Sequence, residues 1–193
     1  MPHVIFIGDE EQRLVERLQE NDRTAAREFY ALYADSLFGV CSRYITDEED
    51  QKDVFQNTLV QIFSHIGEFE YRGVGSLQAW TTKVAVNESL KFLKRKGHHE
   101  ALPLDHATVV ELEDNAPPIS DIPPDIIRQM LNRLPTGYRT VLNLYFFEGK
   151  SHQEIARLLG IRKDSSASQL LRAKEMLIKM IRKYNNDNPH DDE

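Results

Sequence analysis

The chain has 193 residues, 40% of them hydrophobic, and a net charge of −7, which fits one medium or two small globular domains and excludes a wholly basic nucleic-acid coat protein. The single cysteine, Cys41, excludes an internal disulfide, and no stretch approaches the roughly 20 apolar residues that span a bilayer. A reducing cytoplasm is therefore expected, with no signal peptide, anchor or membrane insertion. The charge is unevenly spread: basic and acidic residues number 12 and 16 over residues 1–99, 0 and 7 over 100–125, 12 and 4 over 126–184, and 0 and 4 over 185–193. Only the third segment is strongly basic, as a footprint on phosphates requires.

From Glu11 to Lys96 apolar residues recur at helical spacing, in the sets Leu14 and Leu18; Phe29, Leu32, Tyr33 and Leu37; Val54, Leu59, Ile62, Phe63 and Ile66; and Trp80, Val84, Leu90 and Leu93. Breaks near 21–23, 46–50 and 67–76 divide the stretch into about four helices, and Asp47 or a neighbour is suited to cap the third. Cys41 falls on an apolar helical face beside Leu37, Phe38 and Tyr44 and reads as a buried thiol. Asp50, Asp53 and Gln56 recur every three residues on one acidic face, which spacing alone marks as solvated. Phe69, Tyr71 and Trp80 flank a Gly-rich turn. Beyond it Lys83, Lys91, Lys94, Arg95 and Lys96 share a helix with Glu88 as the one opposing charge. Such a face suits phosphates, although basic residues at a helix C-terminus are also ordinary dipole partners. Spacing leaves Trp80 divided between packing on Ala79 and Val84 and stacking on an unpaired base.

Residues 97–125 hold five prolines, Pro103, Pro117, Pro118, Pro123 and Pro124, and seven acids without a base. Such a segment neither packs a core nor continues a helix, and it reads as a linker. Beyond it, helices are expected near 126–133, 137–147, 151–159 and 164–184. The last two form a helix-turn-helix: Ile155, Leu158 and Leu159 make one apolar face, Gly160 ends that helix as a left-handed residue, and Leu170, Ala173, Leu177 and Ile181 face inward on the next. Arg162, Lys163, Ser165, Ser168, Gln169 and Arg172 are left outward, and these types bond phosphates and base edges. Asp164 suits a helix N-cap. Any bundle offers a similar helix pair; the basic charge of the segment favours DNA. His98, His99, His106 and His152 lack a partner cysteine or metal-ligand spacing and read as exposed side chains, so no metal site and no cofactor is expected. No Gly-rich phosphate loop or nucleophile motif supports an enzyme. An autonomous helix-turn-helix regulator, binding duplex as a dimer, is the rival among binding proteins.

With both modules in place, the chain resembles an extracytoplasmic-function (ECF) sigma factor of the sigma-70 family of bacterial RNA polymerase. Residues 47–63, DEEDQKDVFQNTLVQIF, resemble the acidic helix by which the family docks on the polymerase clamp; 73–96 resemble its promoter-opening helix; and 134–160, LPTGYRTVLNLYFFEGKSHQEIARLLG, resemble its fourth region up to the recognition helix. The resemblance implies an all-α fold of two small helical domains joined by an extended acidic linker. Sigma region 2 would span residues 1–97, the linker 98–124, sigma region 4 residues 125–186, and a disordered tail 187–193. It also implies an alternative sigma factor that binds the beta and beta-prime subunits of core RNA polymerase, recognises the minus-35 and minus-10 promoter elements and opens the promoter. By the same resemblance Asp50, Asp53 and Gln56 bind polymerase, while Tyr71, Arg72, Ser76, Trp80, Lys83, Asn87 and Lys91 bind minus-10 DNA, with the loop 70–75 receiving a flipped nontemplate base. Arg162, Lys163, Ser165, Ser168, Gln169 and Arg172 read the minus-35 duplex, the linker threads the channel that later carries RNA, and an anti-sigma protein is an expected partner. The chain departs from the family at Asp164, Ser165 and Ser166, where Gly-Thr-Val is common, and at Gln169, where Arg is common. These departures bear on which promoter bases are read.

Overall fold

The computed structural model describes residues 9–97 and 122–188, and the regular structure among them is helical throughout. The chain divides into two compact units, which meet in sequence at Lys96 and Gly97. The N-terminal unit holds α1 (Asp9–Gln19), α2 (Arg23–Tyr44), α3 (Glu48–His65), a 3-10 turn (Ile66–Glu68) and α4 (Ser76–Arg95). Asp22 opens α2 by accepting from Thr24 N at 2.7 Å, and Asp47 opens α3 by accepting from Glu49 N and Asp50 N at 3.1 and 3.0 Å. Both caps satisfy amides that a helix cannot pair internally.

The apolar stripes of α2, α3 and α4 meet in one core, with Phe29, Leu37, Ile62 and Leu77 at 0–1% exposure, and α1 adds Leu14, Val15 and Leu18. Burying side chains of this size contributes about 1.5–3 kcal/mol each. Phe29 stacks on Tyr33 at 4.8 Å. The buried hydroxyls of Thr58, Thr81 and Ser89 donate to Val54 O, Leu77 O and Ala85 O, each within its own helix. Cys41 is fully buried, 3.9 Å from Thr58 Oγ1, and burial pushes its thiol pKa up.

The C-terminal unit holds α5 (Pro124–Asn132), α6 (Thr136–Phe146), α7 (His152–Leu159) and α8 (Lys163–Asp187). Met130, Leu134, Val141, Leu144, Ile155, Leu170 and Ala173 form its core. The buried Arg139 of α6 donates to Asn132 O and Leu134 O at 3.2 and 2.9 Å, closing the open carbonyls at the end of α5. Burial lowers the pKa of this guanidinium.

Ser151 and Glu154 cap α7 reciprocally, and Gly160 ends it at φ 67°, a left-handed position that costs glycine little. Three expectations need correction. Leu158 is 50% exposed, and Leu177 and Ile181 are only half-buried. Helix α8 has 25 residues, about 37 Å, whereas α6 and α7 have 11 and 8, so its second half outruns the partners that would cover it. Arg162 rather than Asp164 occupies the N-cap of α8; Asp164 lies in its first turn, where a carboxylate still meets the helix dipole.

Of the segment expected as a linker, 98–121 lies outside the described residues, as do His98, His99 and His106; Ile122 is buried and Pro124 opens α5. Helix α8 ends at Asp187, one residue into the expected tail, of which 189–193 lies outside the described residues.

Candidate nucleic-acid interface

In the C-terminal unit α7 and α8 form the helix-turn-helix, and Ser166, Leu170 and Ala173 turn inward on α8. At 100° per residue, Ser165, Ser168, Gln169 and Arg172 fall within about 100° of one another on one flank of those three, with Gln169 nearest Ala173. Lys163, the first helical residue, sits about half a turn from that cluster, and Arg162 lies just before the helix, 3.6 Å from Asp164. Ser168 Oγ donates to Asp164 O at 2.8 Å. Four of the six expected readers therefore share a face, with Arg162 and Lys163 at its N-terminal end, where a helix attracts phosphate.

His152, expected as an exposed side chain, is instead half-buried and joins this pair of helices. Its Nδ1 lies 3.0 Å from the hydroxyl of Ser166, which is fully buried, and its ring stacks on Tyr145 of α6 at 5.1 Å. Burial first, and then Lys163 and Lys174, hold the imidazole below the ordinary histidine pKa. One ring thus fixes three helices around the base of the recognition helix.

In the N-terminal unit the turn before α4 passes through Gly73 at φ 109° and Gly75 at φ 85°, both strained for any residue with a Cβ. Ser76 N donates to Gly73 O and Arg72 N to Ser76 Oγ, so the turn is internally bonded. Trp80 packs against Phe69 with ring centroids 5.0 Å apart. The pair forms a ridge between two hollows. One, of about 560 Å³, is walled by Glu70, Arg72, Ser76 and Lys83; the other, of about 300 Å³, by Gln61, His65, Val84, Asn87 and Lys91; both share Phe69 and Trp80.

Six of the seven residues expected at the minus-10 element are gathered here. Tyr71 lines neither hollow and lies near enough to Tyr33 to act on that phenol's ionisation. Lys83, Asn87, Lys91 and Lys94 follow Trp80 at steps of three and four and are all exposed, a polar and basic stripe along one side of α4. Lys91 pairs with Glu88 at 2.6 Å and Lys96 with Asp50 at 2.5 Å, whereas Lys83 and Lys94 have no ion pair among the described residues.

On α3 the three expected polymerase contacts differ in setting. Asp50 is half-buried and tied to Lys96, Asp53 is exposed, and Gln56 borders a hollow of about 450 Å³ between α2 and α3 walled by Tyr30, Phe38, Phe55 and Leu59. Phe55 meets Phe38 edge-on at 5.6 Å and Tyr30 at a tilt at 6.4 Å, and Tyr30 is 51% exposed. The aromatic wall is the part of this surface that charge spacing missed. Gln61 and His65 were likewise missed, since a polar residue late in α3 carries no sign in the sequence that it faces α4.

A helix-turn-helix with a polar outer face, joined in one chain to a helical unit whose basic helix begins at an aromatic ridge, defines a two-module DNA-binding protein of transcription. Sigma-70 region 2 matches residues 29–99 and sigma-70 region 4 matches residues 125–177. The RNA polymerase sigma-H factor of Pseudomonas aeruginosa is 26% identical over 185 residues, spanning 90% of this chain and 94% of that one. The ECF RNA polymerase sigma-E factor of Haemophilus influenzae is 26% identical over 179 residues, 86% and 93% of the two chains, and SigW of Bacillus subtilis is 21% identical over 182, 89% and 96%. The chain belongs to the sigma-70 family, in its ECF group. It is an alternative sigma factor, which gives RNA polymerase its promoter recognition and starts transcription.

Proposed function

We propose that the work of promoter opening falls to the ridge of Phe69 and Trp80, the two hollows beside it and the basic stripe of α4. The observation that carries this reading is the placing of the only tryptophan: half-buried, tilted against Phe69, and at the head of Lys83, Asn87 and Lys91. Opening needs no bond chemistry from the protein. It needs tighter binding to the separated strand than to duplex, which shifts the equilibrium between them. Stacking a base on an aromatic ring contributes about 1–3 kcal/mol, against about 1.4 kcal/mol lost per unstacked DNA step. One captured base therefore offsets about one step, and cations along the same face hold the backbone of the released strand. The role is binding, not catalysis.

Residues 1–97 serve as region 2, 98–124 as the connecting strap, and 125–186 as region 4, with 187–193 as a tail. The face of Ser165, Ser168, Gln169 and Arg172, helped by Arg162 and Lys163, reads the minus-35 duplex. Asp50, Asp53 and Gln56, with the aromatic hollow beside Gln56, meet core polymerase, and an anti-sigma protein would hold the factor inactive in the cytoplasm by covering that surface. Permanganate footprinting with core polymerase separates the two DNA roles. Trp80→Ala is expected to leave promoter binding in place and suppress thymine reactivity in the opened strand, whereas Arg172→Ala weakens binding before opening. Equal reactivity in Trp80→Ala and the parent protein would refute the assignment.

A further inference from the structure

Helix α1 carries a carboxylate that neither DNA face uses. Glu11 is fully buried, yet its partners are not basic side chains: Oε2 accepts from Gly75 N at 2.6 Å and Oε1 from Leu77 N at 3.2 Å, with Tyr33 Oη 3.5 Å away. A carboxylate removed from water needs such donors. The N-terminus of α4 needs an acceptor, because Gly75, at its N-cap, has no side chain to offer. Glu11 therefore supplies, from 64 residues away, the cap and the negative charge that a helix start favours. Two turns along the same helix, Gln19 Nε2 donates to Ile66 O at 3.1 Å and Phe69 O at 2.8 Å. One rigid helix thus holds both ends of the loop that carries the hollow: its entry at Phe69 and its exit at Gly75.

We propose that α1 is a brace that presets the loop 69–77 for base capture, with Glu11 and Gln19 as its positioning residues. This rests on the reading of that loop as the base-receiving site. Between the two anchors lie Glu70 and Arg72, whose side chains are 80% exposed and pair only with each other among the described residues. Without the anchors the loop would order at the moment of capture and charge its conformational entropy to DNA binding; with them it is ordered on folding. Leu14, Val15 and Leu18 seat α1 on the core between the anchors, so the brace is fixed to the unit it steadies.

The test uses the full-length chain with core RNA polymerase and a forked promoter whose nontemplate minus-10 strand is single, either intact or lacking one base at each position in turn. Glu11→Gln keeps shape and removes the charge, and the half-buried Gln19→Ala is the milder truncation should Glu11→Ala not fold. Amide hydrogen exchange over 69–77 is followed in the same proteins. Loss of an anchor is expected to speed exchange at Gly75 and Leu77 for Glu11 variants, and around Phe69 for Gln19→Ala, with α2 and α3 unchanged. Affinity for the intact fork is expected to drop about tenfold, while on the fork lacking the captured base parent and variants bind alike. Unchanged exchange, or an equal loss on intact and abasic forks, would overturn the brace. If the parent protein binds every abasic fork as tightly as the intact one, the base-receiving reading falls, and hydrogen exchange alone then decides whether α1 holds the loop.

Discussion

Trp80 and His152 show how far single side chains carry this molecule. Trp80→Ala removes the stacking surface together with a half-buried ring that packs on Phe69. It is expected to cost about 1–3 kcal/mol in binding a forked promoter, read by fluorescence anisotropy, and also to lower the thermal unfolding midpoint of the N-terminal unit, read by calorimetry. His152 has a pKa below its ordinary 6.5 through burial, Lys163 and Lys174. In the window below that value the unfolded chain binds more protons, so stability rises with pH there and is lost as pH falls from 6.5 through the depressed folded value. Urea midpoints of the parent protein should fall between pH 6.5 and 5 more steeply than those of His152→Asn, and parallel profiles would show that Ser166 and Tyr145 hold the ring without a proton-linked cost. Arg139→Met leaves Asn132 O and Leu134 O without their donor and is expected to destabilise the C-terminal unit by about 1–3 kcal/mol for each carbonyl buried, read by calorimetry.

Among the elements, caps decide where the functional helices begin. Asp47→Ala should cost about 0.5–2 kcal/mol and fray the start of α3, weakening core-polymerase binding more than binding to promoter DNA, since Asp50 lies in that first turn. Titration against labelled core polymerase checks it. The same elements show what the residues announce and what they hide. Periodicity located all eight α-helices of the described residues, and Asp47 and Gly160 behave as their chemistry suggests, because caps and stripes are local. Leu177 and Ile181 are covered only in part, because an apolar stripe says which way a helix would face, not how completely its partners cover it. Glu11 and Gln19 were invisible for the same reason. In the stretch DEEQRLVERLQ they look like members of a solvated charged face, and only contacts across 64 and 47–50 residues give them a role. Lys163 drew attention by its charge, yet its angle on α8 sets it apart from the face proposed to read DNA.

For the whole molecule, the charge pattern matters more than the total. A chain of net −7 with one basic segment is expected to bind duplex weakly by itself and more tightly with core polymerase present. Lys83→Ala and Lys94→Ala should each lower the salt slope of holoenzyme binding by about one unit for every phosphate left without its cation, whereas Asp53→Ala should leave it unchanged and reduce core binding; promoter affinity across a salt series tests both. Transcription in vitro decides whether polymerase carrying this factor opens promoters through the aromatic ridge of the N-terminal unit, as proposed. Core polymerase is given genomic fragments, including the one upstream of the factor's own gene, with the protein absent, present, or carrying Trp80→Ala or Arg172→Ala. Discrete transcripts that require the protein and fall with either substitution are the expected result. No transcript and no binding to core, together with tight duplex binding by the protein alone, would refute the ridge and leave an autonomous regulator in its place.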